Sequence, residues 1–391
     1  MENSTKYKSK LENISDKKEI RIAIAGLGNC ASSLIQGIEY YKNIKQEDMY
    51  INGLMNPSIS GYLPCHIKVV AAFDVSITKI NKDISEAIYA EPNCCQLIVK
   101  PKDMPKTGAL CYPGPISDGC YRSENGHFST FEYFKVYDEN NIKPVDVSQT
   151  LKDNRAEILI NLLPVGSYNA SRIYAQAAID AGCGFINGIP EFIVSEQIQG
   201  DKDWVSEFEA RGLPCAGDDI KSQVGATLTH RVLAKMFLDR GVIVNDTYQL
   251  NIGGNADFYN MKLEKRLATK RQSKTSAVAS VLPYPINCRI GPSDYVPFLE
   301  DKKICYIRID GTTFGNLPLM VDVKLRVEDS PNSAGVLLDL IRCMKLALDR
   351  GISGCLESIS SFSFKHPHIQ PPSDVVAKQW VADFIEGKRE R

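Results

Sequence analysis

Several common signatures of function are missing from this 391-residue sequence. Its twelve cysteines form no Cys-x-x-Cys pair, and no two of its five histidines have the spacing of a zinc site. No apolar run is long enough to span a bilayer, and the first 19 residues lack the apolar core of a signal peptide. A formal net charge of −1 favours neither nucleic acid nor an anionic membrane as a partner. The sequence therefore predicts a soluble protein without metal ligands, and its scattered cysteines favour a reducing compartment, the cytoplasm.

The first positive signal is a strand, a glycine turn and a helix near the N-terminus. Ile22–Ala25 is a short apolar run typical of a buried parallel strand. Gly26 then allows a tight turn, Gly28 lets the backbone approach a pyrophosphate, and Ala31 stands in place of the third glycine of a dinucleotide fingerprint. An amphipathic helix follows, and its N-terminus would direct unpaired N–H groups at the phosphates. The pattern predicts a dinucleotide site, the alternative being an ordinary strand–helix turn.

Further strands and turns extend this pattern. Ile67–Phe73 is predicted as a buried strand, and Asp74 at its end has the position of an acid that binds the adenosine ribose. The alternative for this acid is a solvated strand end. A helix is predicted over Ile77–Tyr89. Glu157–Leu163 is a further core strand, and the turn at 164–167 should face the cofactor because ligands lie beyond the carboxyl ends of such strands.

A second anion site is predicted where a short strand at Leu213 leads into a long helix, Gln223–Asp239. Two acids, a lysine, a serine and a threonine crowd this turn, whose sequence is GDDIKSQVGAT. A helix N-terminus with Ser222 and Thr227 suits a phosphate group, so the chain is predicted to bind two phosphorylated ligands, a dinucleotide and a substrate. The alternative is a plain helix that Asp219 or Ser222 caps.

The second half of the sequence has a different texture. Strands with partial alternation enclose a helix near Tyr259–Thr269, which predicts an α+β domain with a mixed or antiparallel sheet. The strands are predicted at Val242–Ile252, Ile304–Ile309 and Leu319–Val327. Asp257 could be a helix cap or an active-site acid, and Lys270 and Lys274 could share a helix face, although solvation explains such a lysine pair as well. A last long helix is predicted over Ala334–Asp349, capped by the four residues before it.

Seven motifs carry a resemblance that covers most of the chain from Arg21 to about His368. They are AGLGNCASSLIQGIEYY, LLPVGS, YAQAAIDAG, GDDIKSQVGATLTHRVLAK, NIGGNADFYNM, GPSDYVPFLEDKK and DSPNSAGV. With these motifs the chain resembles the myo-inositol-1-phosphate synthases, in the short form found in bacteria and archaea. The resemblance implies an α/β fold in which a Rossmann-type doubly wound parallel-sheet domain is interrupted by an inserted α+β catalytic and oligomerisation domain. The predicted divisions are a flexible tail at 1–18, the NAD-binding domain at 19–240, the insertion at 241–333 and a returning segment at 334–391.

The resemblance also implies an activity and a cofactor. Members of that family convert D-glucose 6-phosphate to an inositol phosphate with tightly held NAD: carbon five of the opened sugar is oxidised, carbon six loses a proton, the enolate closes the ring, and the hydride returns. Each step creates negative charge on an oxygen, which fixed ammonium groups in a dry site stabilise. A homotetramer is implied as well. Family members differ in their need for a monovalent or divalent cation, and the sequence assigns no ligands to one.

Carried over by motif, the predicted site residues form three sets. The catalytic set is Lys270, Lys274, Lys303, Lys365, Asp219, Asp257 and Asp329. The cofactor-binding set is Gly26, Gly28, Asn29, Cys30, Asp74, Leu163, Pro164, Asp219, Ser222 and Asp329. The phosphate of the substrate is assigned to Ser222, Gln223, Thr227 and Lys274. In this scheme Asp219 orients Lys365 for proton transfer at the hydroxyl that is oxidised.

Some features stay open at the level of sequence. The cysteine-rich segment Glu91–Gly126 matches the family only in one short block, GPISDG, and Asp118 within that block could contact a ligand or cap a turn. Two competing functions also remain: an NAD-dependent enzyme for another sugar phosphate, and a non-catalytic protein that binds NAD or a sugar phosphate. Four lysines together with Asp219 favour catalysis, because binding alone would not need them.

Overall fold

The structure is a computed structural model that describes residues 18–119, 134–260 and 278–391. The predicted tail up to residue 17, the end of the cysteine-rich segment at 120–126 and the predicted helix at 259–269 beyond residue 260 lie outside these residues. Within the described part of the chain, no helix has the length and apolar character needed to cross a membrane.

A seven-stranded sheet and a four-stranded sheet organise the chain. The strands of the first sheet are β1 (Ile20–Ala25), β2 (Ile67–Asp74), β3 (Cys111–Pro113), β4 (Ile158–Asn161), β5 (Gly184–Asn187), β6 (Pro214–Ala216) and β11 (Gly354–Cys355). Their pairings are all parallel, and the spatial order is β11-β6-β5-β4-β1-β2-β3. Apart from the added β11, this is the strand order of a doubly wound dinucleotide-binding sheet, so the predicted fold class is confirmed.

Helices pack on both faces of the first sheet. In the described residues the α-helices are α1 (Asn29–Tyr40), α2 (Ile84–Ala87), α3 (Val147–Asp153), α4 (Tyr168–Ala181), α5 (Trp204–Ala210), α6 (Ala226–Asp239), α7 (Ala256–Asn260), α8 (Asp329–Arg350), α9 (Glu357–Ser363) and α10 (Asp374–Ile385). Ile22 and Ile24 of β1 belong to an apolar cluster with residues of α1 and α8, whereas Ala23 and Ala25 belong to a second cluster with residues of α4. Burial on both faces explains why β1 is apolar without alternation.

The second sheet is mixed, as predicted. Its strands are β7 (Ile243–Gly253), β8 (Asn287–Tyr295), β9 (Lys302–Thr312) and β10 (Pro318–Glu328). In the order β10-β9-β7-β8, the strand β9 is antiparallel to both of its neighbours, and β8 is parallel to β7. Phe237 of α6 packs with Val244, Ile307 and Ile309 on one face of this sheet. The strand β8 was not predicted, because its sequence NCRIGPSDY holds a Gly-Pro step and little apolar alternation.

The prediction of a helix over Ile77–Tyr89 is wrong, because only the single turn α2 is helical there. Asn81 has a positive φ of 60°, which no helical residue adopts. The Asp83 carboxylate then accepts a hydrogen bond from the N–H of Ser85 and caps the short helix.

The helix α6 begins at Ala226, three residues later than predicted. The backbone N–H groups of Gln223 and Val224 donate to Asn332 at 2.9 and 3.0 Å, so this stretch is bound to α8 and does not wind into the helix. Gly225 is the N-cap residue, and its backbone is extended.

The helix α8 begins earlier than predicted, at Asp329 rather than Ala334. The residues predicted as its cap form its first turn, where Pro331 is tolerated because first-turn N–H groups have no intrahelical acceptor. The helix packs against α1 and against strands of the first sheet, and its start adjoins the end of β10. The division of the chain into domains at 19–240, 241–333 and 334–391 stays a prediction.

Candidate active site

A cleft opens beyond the carboxyl ends of β1, β2 and β4, which is where doubly wound sheets bind ligands. The glycine turn after β1, the turn after β4, and the first residues of α7 and α8 form its walls. Both sheets therefore contribute to it. Most of the predicted site residues that are described line the cleft: Gly26, Gly28, Asn29, Cys30, Asp74, Leu163, Pro164, Asp219, Ser222, Asp257, Lys303, Asp329 and Lys365.

The glycine turn has the geometry of a phosphate cradle. Gly26 adopts φ 87°, and a Cβ at this position would lie 2.7 Å from the carbonyl oxygen of Leu162, so only glycine fits. Gly28 is the N-cap of α1, and a Cβ there would meet no atom within 4 Å. No side chain of the described residues caps this helix. Its first N–H groups therefore face open space, and this end of the cleft fits the pyrophosphate of a nicotinamide cofactor.

Asp74 is buried, with 8% of its surface exposed, so the alternative of a solvated strand end is wrong. Its carboxylate accepts hydrogen bonds from the N–H of Leu27 at 3.0 Å and of Ser76 at 2.8 Å. The buried ammonium of Lys79 lies 3.7 Å away and donates to the carbonyl oxygen of Leu27 at 2.9 Å. Asp74 therefore holds the glycine turn in place. Each carboxylate oxygen keeps a second lone pair, so binding of the ribose hydroxyls stays a prediction.

Asn29 attaches the cysteine-rich segment to the start of α1. Its side-chain oxygen accepts hydrogen bonds from the N–H groups of Cys94 and Cys95 at 2.8 and 3.2 Å. Further along α1, the side-chain oxygen of Gln36 accepts hydrogen bonds from the N–H groups of Ile98 and Val99. The segment thus lies along α1. The predicted contact of Asn29 with the cofactor would therefore be made through its backbone N–H group.

Asp118 caps a helix. Its two carboxylate oxygens accept hydrogen bonds from the N–H groups of Asn169 and Ala170 at 2.7 and 2.9 Å, in the first turn of α4. Of the two predicted alternatives, capping is therefore the one that these contacts describe. The capped helix start also lines the cleft, so Asp118 fixes part of its wall.

Besides Lys79 and Asp74, two further lysine–carboxylate pairs line the cleft. The Lys365 ammonium lies 2.7 Å from the Asp219 carboxylate, and the Lys365 backbone N–H donates to the Asp219 carbonyl oxygen, also at 2.7 Å. The Lys303 ammonium lies 3.1 Å from Asp329. Burial acts to lower the pKa of Lys303, but the charge and hydrogen bond of Asp329 and the charge of Asp257 outweigh it and raise this pKa above its usual value. Lys303 therefore stays protonated at neutral pH.

Sequence reasoning missed Asp301, which connects the acids of the cleft. Its side chain is 1% exposed and accepts hydrogen bonds from the side-chain amide of Asn255 at 2.9 Å and from the hydroxyl of Ser330 at 2.8 Å. Asn255 in turn accepts from the N–H of Asp257, and Ser330 follows Asp329. Burial and the charge of Asp329 raise the pKa of Asp301 to about 7. One carboxylate thus positions the starts of α7 and α8.

A smaller pocket adjoins the cleft at the N-terminus of α6. It shares Ser222 with the cleft, and it is also lined by Thr227 and by the two cleft lysines. The Ser222 hydroxyl bonds that of Ser333, and Gly225 leaves the helix start without a side-chain cap in the described residues. Neither Asp219 nor Ser222 is the cap, so that alternative is wrong. An uncapped helix N-terminus beside lysines suits a phosphate group.

Two residues of this region depart from the prediction. The structure does not bring Gln223 to the pocket, because its side-chain amide donates to the carbonyl oxygen of Gly53 at 2.8 Å. Asn251 lines the pocket although it was not predicted. It is 1% exposed, and its side-chain NH₂ group has no hydrogen-bond partner in the described residues. It was missed because Asn251 shares a strand face with Thr247 and Gln249, so the sequence gives no sign that this face is the buried one.

Other parts of the predicted site cannot be placed. Lys270 and Lys274 lie outside the described residues. Within 18–119, 134–260 and 278–391, no three side chains of the metal-binding types come together to hold an ion.

Comparison with known proteins points to one family. Residues 225–330 match the sequence model of myo-inositol-1-phosphate synthase. An inositol-3-phosphate synthase of Corynebacterium glutamicum is 47% identical over 375 residues, which cover 94% of this chain and 98% of that protein. An inositol-3-phosphate synthase of Mycobacterium tuberculosis H37Rv is 45% identical over 372 residues, which cover 94% of this chain and 96% of that protein.

Solved structures give the same picture of the fold. The crystal structure of Ari2 matches with a TM-score of 0.72 and 31% identity, covering 94% of this chain and 99% of Ari2. An inositol-3-phosphate synthase from Caenorhabditis elegans matches with a TM-score of 0.71 over 94% of this chain and 85% of that chain. At 16% identity, this second likeness concerns the fold alone.

Proposed function

Because the chain belongs to the myo-inositol-1-phosphate synthase family, we propose that it converts D-glucose 6-phosphate to 1D-myo-inositol 3-phosphate, the first step of inositol biosynthesis. The reaction comprises oxidation, enolisation, intramolecular aldol closure and re-reduction. One observation carries the proposal: the lysines of two lysine–carboxylate pairs, Lys303 with Asp329 and Lys365 with Asp219, line both the dinucleotide cleft and the second anion pocket. A reaction that develops negative oxygen at three successive steps needs such fixed ammonium groups.

The cofactor is assigned as NAD, held by the glycine turn at Gly26 and Gly28, by the N-terminus of α1 and by Asp74. When bound, NAD would take a hydride from carbon five and return it at the end, so that no net NADH forms. The Cys30, Leu163 and Pro164 positions line the same cleft and would contact the cofactor. Asp219, Ser222 and Asp329, which also line this cleft, complete the predicted cofactor set.

The chain's own groups handle protons and charge. Asp219 fixes the ammonium of Lys365, and we assign to this pair the proton of the carbon-five hydroxyl: Lys365 passes one of its protons along its hydrogen bond to the Asp219 carboxylate as it accepts the hydroxyl proton, and the relay runs in reverse when the hydroxyl is restored. Lys303 keeps its charge and stabilises an oxyanion, while Asp257 and Asp329 flank it. Lys270 and Lys274 are assigned by motif alone, with Lys274 at the phosphate.

The phosphate of the substrate is assigned to the pocket at the start of α6. Ser222 and Thr227 line it, and Asn251 supplies a buried amide donor to its wall. Gln223 is assigned to the phosphate by its motif alone, because its side-chain amide donates a hydrogen bond to the carbonyl oxygen of Gly53. Two anion sites in one cleft match a dinucleotide and a sugar phosphate.

We propose a homotetramer in which the second sheet forms an interface. The face of this sheet that α6 does not cover exposes Tyr248, Leu250, Tyr306 and Met320 by about a third or more of each side chain. Contiguous apolar surface of this kind marks interaction sites in soluble proteins. The described cysteines are free thiols, which supports the proposed cytoplasmic location. No cation is assigned to the described residues.

The proposal is tested by incubating the purified protein with glucose 6-phosphate and NAD and following phosphorus and proton NMR spectra. We expect the sugar signals to give way to those of an inositol monophosphate while NADH absorbance does not rise. Lys365→Ala should abolish this conversion while leaving NAD binding intact. Steady accumulation of NADH would identify a dehydrogenase instead, and an unchanged sugar would indicate that the chain acts on another substrate or only binds its ligands.

A further inference from the structure

A third lysine, Lys221, lies in the wall of the phosphate pocket. It immediately precedes Ser222 and is 5% exposed. Its ammonium donates to the Asp374 carboxylate at 2.8 Å and to the carbonyl oxygen of Ser361 at 3.2 Å. These are two of three N–H groups, and the third has no partner in the described residues. No step of the proposed reaction uses this buried charge.

Asp374 is shared between two cations. One oxygen accepts from Lys221, and the other accepts from Nε of Arg231 at 3.1 Å. By contrast, Lys303 and Lys365 each pair with an acid of their own in the cleft. A buried ammonium that has half of a carboxylate is incompletely compensated, and burial makes such a charge costly unless a further anion approaches.

Lys221 also fixes the loop on which the site depends. Its backbone N–H donates to the carbonyl oxygen of Ser363 at 2.7 Å, while its side chain reaches Ser361. Residues 361–363 lead directly into Lys365. Asp219 and Ser222, on either side of Lys221, are thereby held against the segment that carries Lys365. The same residue thus supplies charge to the pocket and keeps its parts together.

We propose that Lys221 determines the preference of this cleft for a phosphorylated sugar, as a charge in the wall of the phosphate pocket and as a positioning residue for Ser222. The inference rests on the proposed function, since it assigns the pocket at α6 to the phosphate of the substrate. Lys221 receives only part of the negative charge of Asp374, because Asp374 also pairs with Arg231. A phosphate dianion in the pocket supplies the remaining negative charge. An unphosphorylated sugar supplies none.

The protonation of Lys221 gives this inference a pH signature. The pKa of Lys221 is lowered to about 8, mainly by burial and also by the charges of Arg231 and Lys365, which together outweigh the raising effect of Asp374. These three groups face Lys221 from α6, from the segment after α9, and from α10. The second pKa of a phosphate monoester is about 6, so its charge is constant above pH 7. Affinity for the phosphate should therefore fall as pH rises through about 8, because Lys221 then loses its charge.

The experiment measures binding of inorganic phosphate and of glucitol 6-phosphate, by calorimetry, to NAD-loaded protein between pH 7 and 9.5. The pH dependence is taken from glucitol 6-phosphate alone, because inorganic phosphate itself still loses a proton near neutral pH. Glucitol 6-phosphate is the reduced, open-chain form of the sugar and lacks the aldehyde needed for ring closure. At pH 7 we expect Lys221→Met to bind both probes about tenfold or more weakly than the wild type, as loss of a buried charge of opposite sign predicts. Lys221→Arg keeps the charge and should bind with nearly wild-type affinity, but without the decline above pH 8, because arginine does not titrate there.

A matched control separates this effect from the loss of an ion pair as such. Lys345 pairs with Glu157 at 2.7 Å beyond the opposite end of β4, so Lys345→Met removes a partly buried lysine without touching the pocket. It should leave both affinities within twofold of the wild type. Equal phosphate binding by wild type and Lys221→Met overturns the inference alone. If the wild-type protein binds neither probe, both the inference and the proposed function are wrong. If Lys221→Arg loses its affinity for the probes at pH 7, the inference about the charge of Lys221 is wrong.

Discussion

Asp219→Asn tests the central charge pair of the cleft. Asp219 is 3% exposed, and its carboxylate holds the Lys365 ammonium at 2.7 Å. Its backbone has φ 62°, a conformation in which aspartate and asparagine are both tolerated and alanine is strained. The substitution to asparagine therefore removes one negative charge while keeping the volume and the backbone. Any loss of activity then belongs to the charge.

The size of the effect follows from the role that the pair would have. General acid–base catalysis by a positioned group contributes roughly 10²- to 10⁴-fold to a rate, which corresponds to about 3–5 kcal/mol in the activation free energy. We expect kcat of Asp219→Asn to decrease by a factor within that range, because the Lys365 ammonium loses both its orientation and its counter-charge. NAD affinity should fall by less than kcat, because Asp219 is one of several groups assigned to the cofactor and the glycine turn at Gly26 and Gly28 keeps its contacts.

The assay is the initial rate of inositol phosphate formation, read by phosphorus NMR, together with thermal unfolding of both proteins. Glu157→Gln is the matched control, because Glu157 holds the Lys345 ammonium at the same 2.7 Å distance, far from the cleft. The control should lose stability without losing kcat per folded molecule. A kcat for Asp219→Asn close to that of the wild type, with the protein folded, would refute the assignment of Lys365 as the proton-transferring group.

Three further predictions use the same structure. Gly26→Ala should destabilise the fold, because a Cβ would meet the Leu162 carbonyl oxygen. Gly28→Ala should fold normally and lose NAD affinity, since its Cβ enters only the space assigned to the ligand. Calorimetric unfolding measures the first effect and NAD titration the second. The raised pKa of Asp301 means that this buried acid favours the folded state only while it is protonated. The free energy of unfolding of the wild type should therefore fall as pH rises from about 4 to 7, by about 1.4 kcal/mol for each unit by which the pKa is raised. Asp301→Asn cannot ionise and should not show this fall. This is measured by urea unfolding at each pH, and parallel profiles of the two proteins would contradict it. Tyr306→Asp should shift the oligomer to smaller species in analytical ultracentrifugation, and an unchanged sedimentation profile would exclude that sheet face from the interface.

The doubly wound class of the first sheet could be predicted from the sequence because the signals of its first strands are local. An apolar run, a glycine turn and an amphipathic helix occur within one short stretch, and each follows from contacts between near neighbours. The end of the helix α4 is a local feature too, since Ala181 is followed by Gly182, whose positive φ suits a helix end. The single turn α2 was overpredicted, because Asp83 captures N–H groups that an uninterrupted helix would have used.

The features that sequence reasoning missed depend on partners far along the chain. Asp301 accepts from Ser330, which lies 29 residues away, and from Asn255, which lies 46 residues away. An aspartate before two lysines gives no sign of such partners, because exposed charges in that pattern are common. The late start of α6 has the same origin, since Asn332 of α8 takes the N–H groups of Gln223 and Val224. Tertiary hydrogen bonds of this kind override local propensity.

The described lysines of the cleft are held before any substrate arrives, and this decides how they can act. Lys303 and Lys365 each donate to a carboxylate from another element, Asp329 on α8 and Asp219 after β6. The Lys303 ammonium carries three donors, so its carboxylate partner leaves it able to bind a developing oxyanion without first releasing that partner. The charge is therefore in place at the moment of reaction, and no reorganisation opposes its effect. Because Asp219 and Lys365 are 146 residues apart in sequence, this arrangement exists only once the C-terminal segment has packed against the first sheet.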